Sequence, residues 1–172
     1  MSLLKTIQYS EAKDEVKAVY DHMIKRTGKI PKPVELTSVS PFFFQSLMRT
    51  IDYYSGHPNI DFSLLVLIRL LSSQSCSNDI CLNFNRQILK KQGLDDIEID
   101  KLLENPATAG LLKKDETLLM FVLKAVNDPE AIQDPDVQQL RDLGWTDTDI
   151  FDAVNTGVTM FALNKMMKIF KI

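Results

Sequence analysis

Both cysteines of this 172-residue chain lie in one polar stretch, Ser72-Ser73-Gln74-Ser75-Cys76-Ser77-Asn78-Asp79-Ile80-Cys81-Leu82-Asn83-Phe84-Asn85. A thiol that ionises can attack peroxide oxygen, and a second thiol can then resolve the sulfenic acid. The stretch is therefore a candidate thiol redox site built on Cys76 and Cys81. Cys81 is expected near a helix start, where the macrodipole favours thiolate by roughly 0.3–1 kcal/mol when exposed. That alone lowers a thiol pKa by less than about one unit. Asp79, two residues away, works in the opposite sense. Asn85 shares a helix face with Cys81 at four-residue spacing. Asn78 and Asn85 can hydrogen-bond there but cannot exchange protons near neutral pH.

The same residues admit blander roles. Five residues of regular helix advance about 7.5 Å and turn about 140°, beyond the limit of roughly 7 Å between bridged Cα atoms. Cys76 and Cys81 can pair only if residues 75–78 form a turn outside the helix, which their serine-rich composition permits. Otherwise they are two buried thiols acting as small hydrophobes. Asn78, Asn83 and Asn85 are either helix-start amides, with Asn83 facing outward, or the lining of a polar pocket for a small ligand without redox chemistry. Neither His22 nor His57 falls in the stretch, and no acid occurs between Phe62 and Asn78. Two cysteines with no nearby histidine cannot supply four zinc ligands or hold an iron–sulfur cluster, so no metal and no other cofactor is expected. A Gly-rich phosphate loop is missing, and a serine triad has no base nearby.

The elements that must position these residues are all helical, roughly eight to nine of them, because no segment sustains period-two alternation. Glu11 to Arg26 spaces Val16, Val19, Tyr20, Met23 and Ile24 helically, and Gly28 ends it. A stiff connector through Pro31 and Pro33 leads to a short helix over 33–39. Ser40 as N-cap and Pro41 open the next, which carries Phe42, Phe43, Phe44, Leu47, Met48, Ile51 and Tyr54. Asp61 caps a helix to about Leu71 that is apolar nearly all round, and so central. After a serine-rich break comes a helix over 77–92, then a short one from Asp95 or Asp96 to Leu103. Helices over 115–126 and 135–143 follow. Thr146 with Asp149 forms a capping box that launches the last helix, to Phe170. Gly93 to Ile99 resembles Gly144 to Ile150, which reads as recurring helix punctuation or as a weak internal duplication.

The size and composition set the remaining bounds. One domain, residues 1–172, is expected, long enough to bury a core without disulfides. Apolar content is 45% and mean hydropathy −0.08, as in a globular protein. A net charge of −3 argues against nucleic acid as a partner. No apolar run reaches the roughly 20 residues of a membrane span, and the longest, 64–71, is interrupted by Arg69. Met1-Ser2-Leu3-Leu4-Lys5 lacks a signal-peptide layout, so the expected setting is cytoplasmic. Met160, Met166, Met167, Phe161 and Phe170 read as packing or an oligomer interface. Part of the run from Phe42 to Phe44 exceeds what one helix face needs, and core packing, another subunit or a hydrophobic ligand would absorb it.

The order of motifs carries a resemblance. After the cysteine-bearing turn come Gly93-Leu94-Asp95-Asp96, Lys113-Lys114-Asp115-Glu116-Thr117-Leu118-Leu119 and Asn127-Asp128-Pro129. Asp136-Val137-Gln138-Gln139-Leu140, Leu143-Gly144-Trp145-Thr146-Asp147 and Phe161-Ala162-Leu163-Asn164-Lys165 follow. With Val19-Tyr20 and the connector from Gly28 to Pro33, this set resembles the carboxymuconolactone decarboxylase superfamily, closest to its alkylhydroperoxidase-D-like, peroxidase-related branch. The resemblance implies an all-helical bundle and a homo-oligomer (dimer, trimer or hexamer). It also implies a site with a glutamate on the central helix, Cys-x-x-Cys, and a histidine four residues after the second cysteine. Cys81 matches that second cysteine, which the resemblance makes the nucleophile, with Cys76 as the internal resolving candidate. The first falls on Asn78, the histidine on Asn85 and the glutamate on Leu65 or Val66, while Cys76 lies five residues before Cys81. The function implied is that of the antioxidant thiol-peroxidase (peroxiredoxin-type) lineage acting on a peroxide, with the relay largely lost and activity weak or absent. The decarboxylase activity itself would need a histidine at position 85. The alternative is a non-catalytic protein that binds a small ligand or serves oligomeric assembly on the same fold.

Overall fold

Apolar residues at helical spacing fold as the pattern predicts. A computed structural model describes residues 2–172, except the side chain of Arg26, and places nine α-helices, two 3-10 turns and no strand among the described residues. Met1, the first residue of the N-terminal reading, lies outside the described residues. The chain divides into two compact units, the residues up to Gly56 with Lys165–Ile172, and His57–Asn164.

The first unit contains α1 (Asp14–Thr27), α2 (Lys32–Thr37) and α3 (Pro41–Ser55). The first helix starts three residues later than its pattern predicts, because Gln8 to Glu11 close a turn of their own, Glu11 N–H donating to Gln8 O at 2.9 Å. Ser40 precedes α3 and Pro41 opens it, but the Ser40 side chain makes no capping bond. Tyr20, Val34 and Phe44 form the buried cluster, with Val16, Val19, Ile30, Leu47 and Met48 packed around it. The Tyr20 and Phe44 rings meet edge to face at 6.4 Å. Of the phenylalanine run only Phe44 enters this core; Phe42 and Phe43 remain 75% and 63% exposed.

The second unit holds α4 (Phe62–Ser75), α5 (Asp79–Lys91), α6 (Asp96–Glu104), α7 (Lys113–Asn127), α8 (Asp134–Asp142) and the part of α9 (Asp147–Phe170) up to Asn164. Pro106–Ala109 and Pro129–Ala131 are the 3-10 turns. Asp61 caps α4 by accepting Ser63 N–H at 2.7 Å. Leu64 to Ile68, Leu70 and Leu71 are all buried, and α4 packs chiefly on α5 and α7. Each such side chain contributes about 1.5–3 kcal/mol when fully buried. The serine run does not end this helix near Leu71, as its composition suggested. Ser73 Oγ donates to Arg69 O and Ser75 Oγ to Leu71 O, so two serines bond back to their own helix and α4 reaches Ser75.

Three helices of this unit end with one device. At the end of α5, Gly93 N–H donates to Lys90 O and Leu94 N–H to Leu89 O; at the end of α8, Gly144 N–H donates to Arg141 O and Trp145 N–H to Leu140 O. Both glycines are left-handed, the backbone state a Schellman end requires. A capping box then starts the next helix each time, Asp95 with Glu98 and Thr146 with Asp149. The likeness between these two segments is helix punctuation. The third instance ends α4, and there the left-handed residue is Ser77 (φ 51°).

Candidate functional site

The break between the cysteine-bearing helices falls at Cys76 to Asn78. Ser77 N–H donates to Gln74 O at 3.0 Å and Asn78 N–H to Ser73 O at 2.8 Å, which closes α4. Asn78 then caps α5, its Oδ1 accepting the Cys81 N–H at 3.1 Å. Its Nδ2 donates to Met160 O on α9 at 3.4 Å. Asn164, also on α9, donates to Cys76 O at 2.6 Å. The turn is thus fixed from both ends of its own chain and from one turn of α9.

Cys76 and Cys81 do not bridge each other. Cys76 Sγ donates to Ser73 O at 3.6 Å and to Met160 O at 3.8 Å, weak bonds suited to a resting S–H. Cys81 lies in the first turn of α5, as its sequence position indicated, but it is only 5% exposed. Burial pushes its thiol up to about 11; Asn78 and the Arg69 guanidinium pull the other way and do not compensate, while Cys76 adds to the rise. Burial therefore outweighs the modest effect of the helix terminus. Asp79 is exposed and is not among the causes of this shift.

Asn85 is buried, one turn beyond Cys81. Its Nδ2 donates to the Cys81 carbonyl at 2.9 Å, so the amide engages the backbone. A carbonyl accepts only a donor, which fixes the amide's orientation and leaves Oδ1 turned the other way. That Oδ1 has no partner among the described residues. Asn83 faces outward. Leu65 and Val66 are fully buried aliphatics.

The sequence reading passed over Arg69. The guanidinium lies close enough to Cys81 for their charges to interact, and burial lowers its pKa to about 10, which leaves it charged at neutral pH. Its Cζ sits 5.4 Å from the centroid of the Phe62 ring. No carboxylate pairs with it among the described residues, and its buried Nε has no hydrogen-bond partner there. The signal was present in the pattern as the single charge inside an apolar run, and the side chain is half-buried. Ser72 is the third buried residue with an unpaired polar atom, its Oγ held in the crowded contact of α4 with Gly157 of α9.

The His57 ring is already engaged by its own loop and by α9. His22 is exposed in the first unit. His57 has a buried side chain, and its Nδ1 accepts Asn59 N–H at 3.2 Å and Ile60 N–H at 3.0 Å. That fixes the proton on Nε2, which faces Asp152 Oδ2 at 3.2 Å. Beside it Asn59 Nδ2 donates to Asp149, the partner of Thr146 in the cap of α9. This second polar cluster orders the loop before α4 against the start of α9.

No protein-family model matches the chain. No curated protein matches it either. Solved structures do. An uncharacterised peroxidase-related protein from Silicibacter sp. TM1040 superposes with a TM-score of 0.83 at 17% identity, over 99% of this chain and 90% of that one. An alkylhydroperoxidase AhpD core protein, an uncharacterised peroxidase-related protein from Ralstonia eutropha JMP134, gives 0.79 at 17% identity over 99% and 90%. The debrominase Bmp8, a cysteine-to-alanine variant in complex with 2,3,4-tribromopyrrole, gives 0.79 at 13% identity over 99% and 92%. Nearly the whole chain therefore has the all-helical alkylhydroperoxidase-D-like fold.

Proposed function

We propose that this protein belongs to the antioxidant thiol-peroxidase lineage of its fold, with a cysteine centre whose proton relay is lost, so that reduction of peroxide through Cys81 is weak or absent. The observation that carries the reading is the set of bonds around Cys81. Asn78 is spent on the helix cap, Asn85 on the Cys81 carbonyl, and Leu65 and Val66 have nothing to donate. Turnover would require Cys81 thiolate to attack the peroxide O–O bond, forming the sulfenic acid and releasing the alcohol. Cys76 would then displace water to form a disulfide, which an external thiol would reduce. A thiol held protonated at neutral pH, with no base beside it, does not begin that sequence at a useful rate. The cytoplasm as its setting and assembly as a homo-oligomer belong to the same reading; exposed Phe42 and Phe43 support the assembly.

A second reading, a binding protein for a small ligand, is favoured by one observation. Among the described residues, Arg69 Nε and Ser72 Oγ on α4 and Asn85 Oδ1 on α5 are buried polar atoms without partners. Buried polar groups are normally paired, so such a group of exceptions asks for a ligand. The tribromopyrrole complex of the debrominase is a precedent for a small organic molecule on this fold.

Peroxide consumption with a thiol reductant, measured for the wild type and Cys81→Ser, tests the first reading. Equal and negligible rates are expected. Robust wild-type turnover that disappears in the variant would overturn it.

A further inference from the structure

The solvent side of α3 is aromatic where an amphipathic helix is normally polar. Phe42, Ser46, Arg49 and Tyr53 are spaced four, three and four residues apart, the spacing that keeps side chains on one seam of a helix. The core side of the same helix carries buried Phe44 and Tyr54, with Leu47 and Met48 packed inward. Phe42 is 75% exposed, Phe43 63% and Tyr53 46%, while Ser46 and Arg49 are exposed between them. The Phe42 and Phe43 rings meet edge to face at 5.4 Å and form one continuous surface. With about 150–250 Å² of surface for each aromatic side chain, the three leave roughly 350 Å² in water. That is a patch of the size that is often functional on a monomer, and nearly half of the about 800 Å² that one side of a standard interface buries.

We propose that this face of α3 is a self-association surface, covered by α3 of a second copy packed antiparallel about a two-fold axis near Ser46. The proposal rests on the homo-oligomer reading above and gives that assembly its contact. Charge sets the direction. A parallel pair would place the two Arg49 guanidiniums opposite each other. The antiparallel pair sets Arg49 of each copy level with Phe42 of the other, on the same side of the seam, so a cation meets an aromatic ring twice. Ser46, the small residue between them, lets the two backbones approach. Tyr53 of one copy then faces the turn that holds Val39 of the other, itself 41% exposed. A two-fold contact uses the same patch on both copies and closes on itself. A small hydrophobic ligand fits less well, because such ligands occupy concave sites and these rings project from a helix.

The test uses the full chain. Sedimentation velocity is followed over a range of protein concentrations for the wild type, Phe42→Glu and Arg49→Ala. The wild type is expected to be a dimer or a larger even-numbered assembly. Phe42→Glu, which changes both copies at once, should weaken association at least about thirtyfold. Arg49→Ala should weaken it about tenfold through its two ring contacts. Oxidative cross-linking in a Cys76→Ser, Cys81→Ser background reads the direction. Ser46→Cys lies at the axis and should give a disulfide-linked dimer. Thr50→Cys, about 12–14 Å from its copy in the antiparallel pair, should not. A bridge through Thr50→Cys and none through Ser46→Cys would mean a parallel pair and overturn the proposal. An assembly as tight in Phe42→Glu as in the wild type would remove α3 as the contact and leave the homo-oligomer reading standing. A wild type that stays monomeric at every concentration would remove both. If that monomer bound anilinonaphthalene sulfonate and Phe42→Glu did not, the face would belong to a hydrophobic ligand instead.

Discussion

Asn78 Oδ1 accepts the backbone N–H of Cys81 at 3.1 Å, and Asn78 Nδ2 reaches Met160 O at 3.4 Å. One amide thus caps α5 and ties that cap to α9. Asn78→Ala should destabilise the protein by about 1–2 kcal/mol, the range for a lost N-cap, read from urea unfolding. Asn78→Asp keeps the acceptor for the Cys81 N–H but turns a carboxylate oxygen toward Met160 O, so it should recover only part of that loss. Two equally stable variants would show that the cap carries no weight.

Asn78→Cys would place a thiol three residues before Cys81 across the first turn of α5. Residues at this spacing on a helix lie about 5 Å apart at Cα, within the roughly 4.4–6.8 Å that a disulfide spans. Air oxidation of the Asn78→Cys variant in a Cys76→Ser background is expected to give an internal bridge, visible by mass spectrometry as a loss of two hydrogens. A protein that stays fully reduced would contradict this account of the turn.

Ser77 holds a left-handed backbone at the Schellman end of α4, where α5 and α8 use Gly93 and Gly144. A side chain in this state costs roughly 1–2 kcal/mol, part of which glycine gives back as unfolded-state entropy. Ser77→Gly should therefore stabilise the protein by about 0.5 kcal/mol, measured as a shift in urea midpoint at constant slope. A loss of stability would mean that the Ser77 side chain makes a compensating contact.

The helices were legible because each rests on local rules. Apolar spacing marked their faces, and Asp61, Thr146 with Asp149, and the glycines marked their ends. The end of α4 was misplaced because Ser73 and Ser75 are turn formers by composition, yet bond back to Arg69 O and Leu71 O within the helix. Cys81 was placed correctly near a helix start, but its burial depends on packing between α4 and α5, which no local pattern encodes. Arg69 was seen only as an interruption of an apolar run. Its meaning emerges once the run is a central helix on which the arginine is half-buried. The contacts of Met160 and Asn164 with the cysteine turn span more than 80 residues of chain and leave no trace in the sequence.

Gly157 lies where a Cβ would meet Val122 Cγ1 and Val126 Cγ1 at 3.0 Å and Ser72 Oγ at 3.1 Å. Gly157→Ala gains about 1 kcal/mol of helix propensity but crowds three neighbours at once, and overpacking of this kind costs about 1–3 kcal/mol. A net loss of stability is expected. A more stable variant would show that α4, α7 and α9 separate without cost.

Asp149 supplies an acid-sensitive element. Burial alone would raise its pKa, but bonds from the Thr146 hydroxyl and N–H and from Asn59, with a favourable charge effect from His57, hold the carboxyl below its usual value. A carboxyl depressed in the folded state stabilises above its unfolded pKa and loses that contribution as pH falls through the folded value. Thr146→Ala should flatten the fall in stability on acidification below about pH 4, followed by urea unfolding at several pH values. A parallel shift at every pH would assign the effect to the cap alone.

The central claim is that Cys81 is a protonated thiol at neutral pH, and its modification rate tests this most directly. In a Cys76→Ser background the rate of alkylation of Cys81 by iodoacetamide is measured from pH 6 to 10.5, with urea-unfolded protein as reference. With the thiol pushed up to about 11, the native rate should rise about tenfold per pH unit with no plateau in this range. A plateau at or below pH 8 would show a thiolate already formed at neutral pH and would contradict the account.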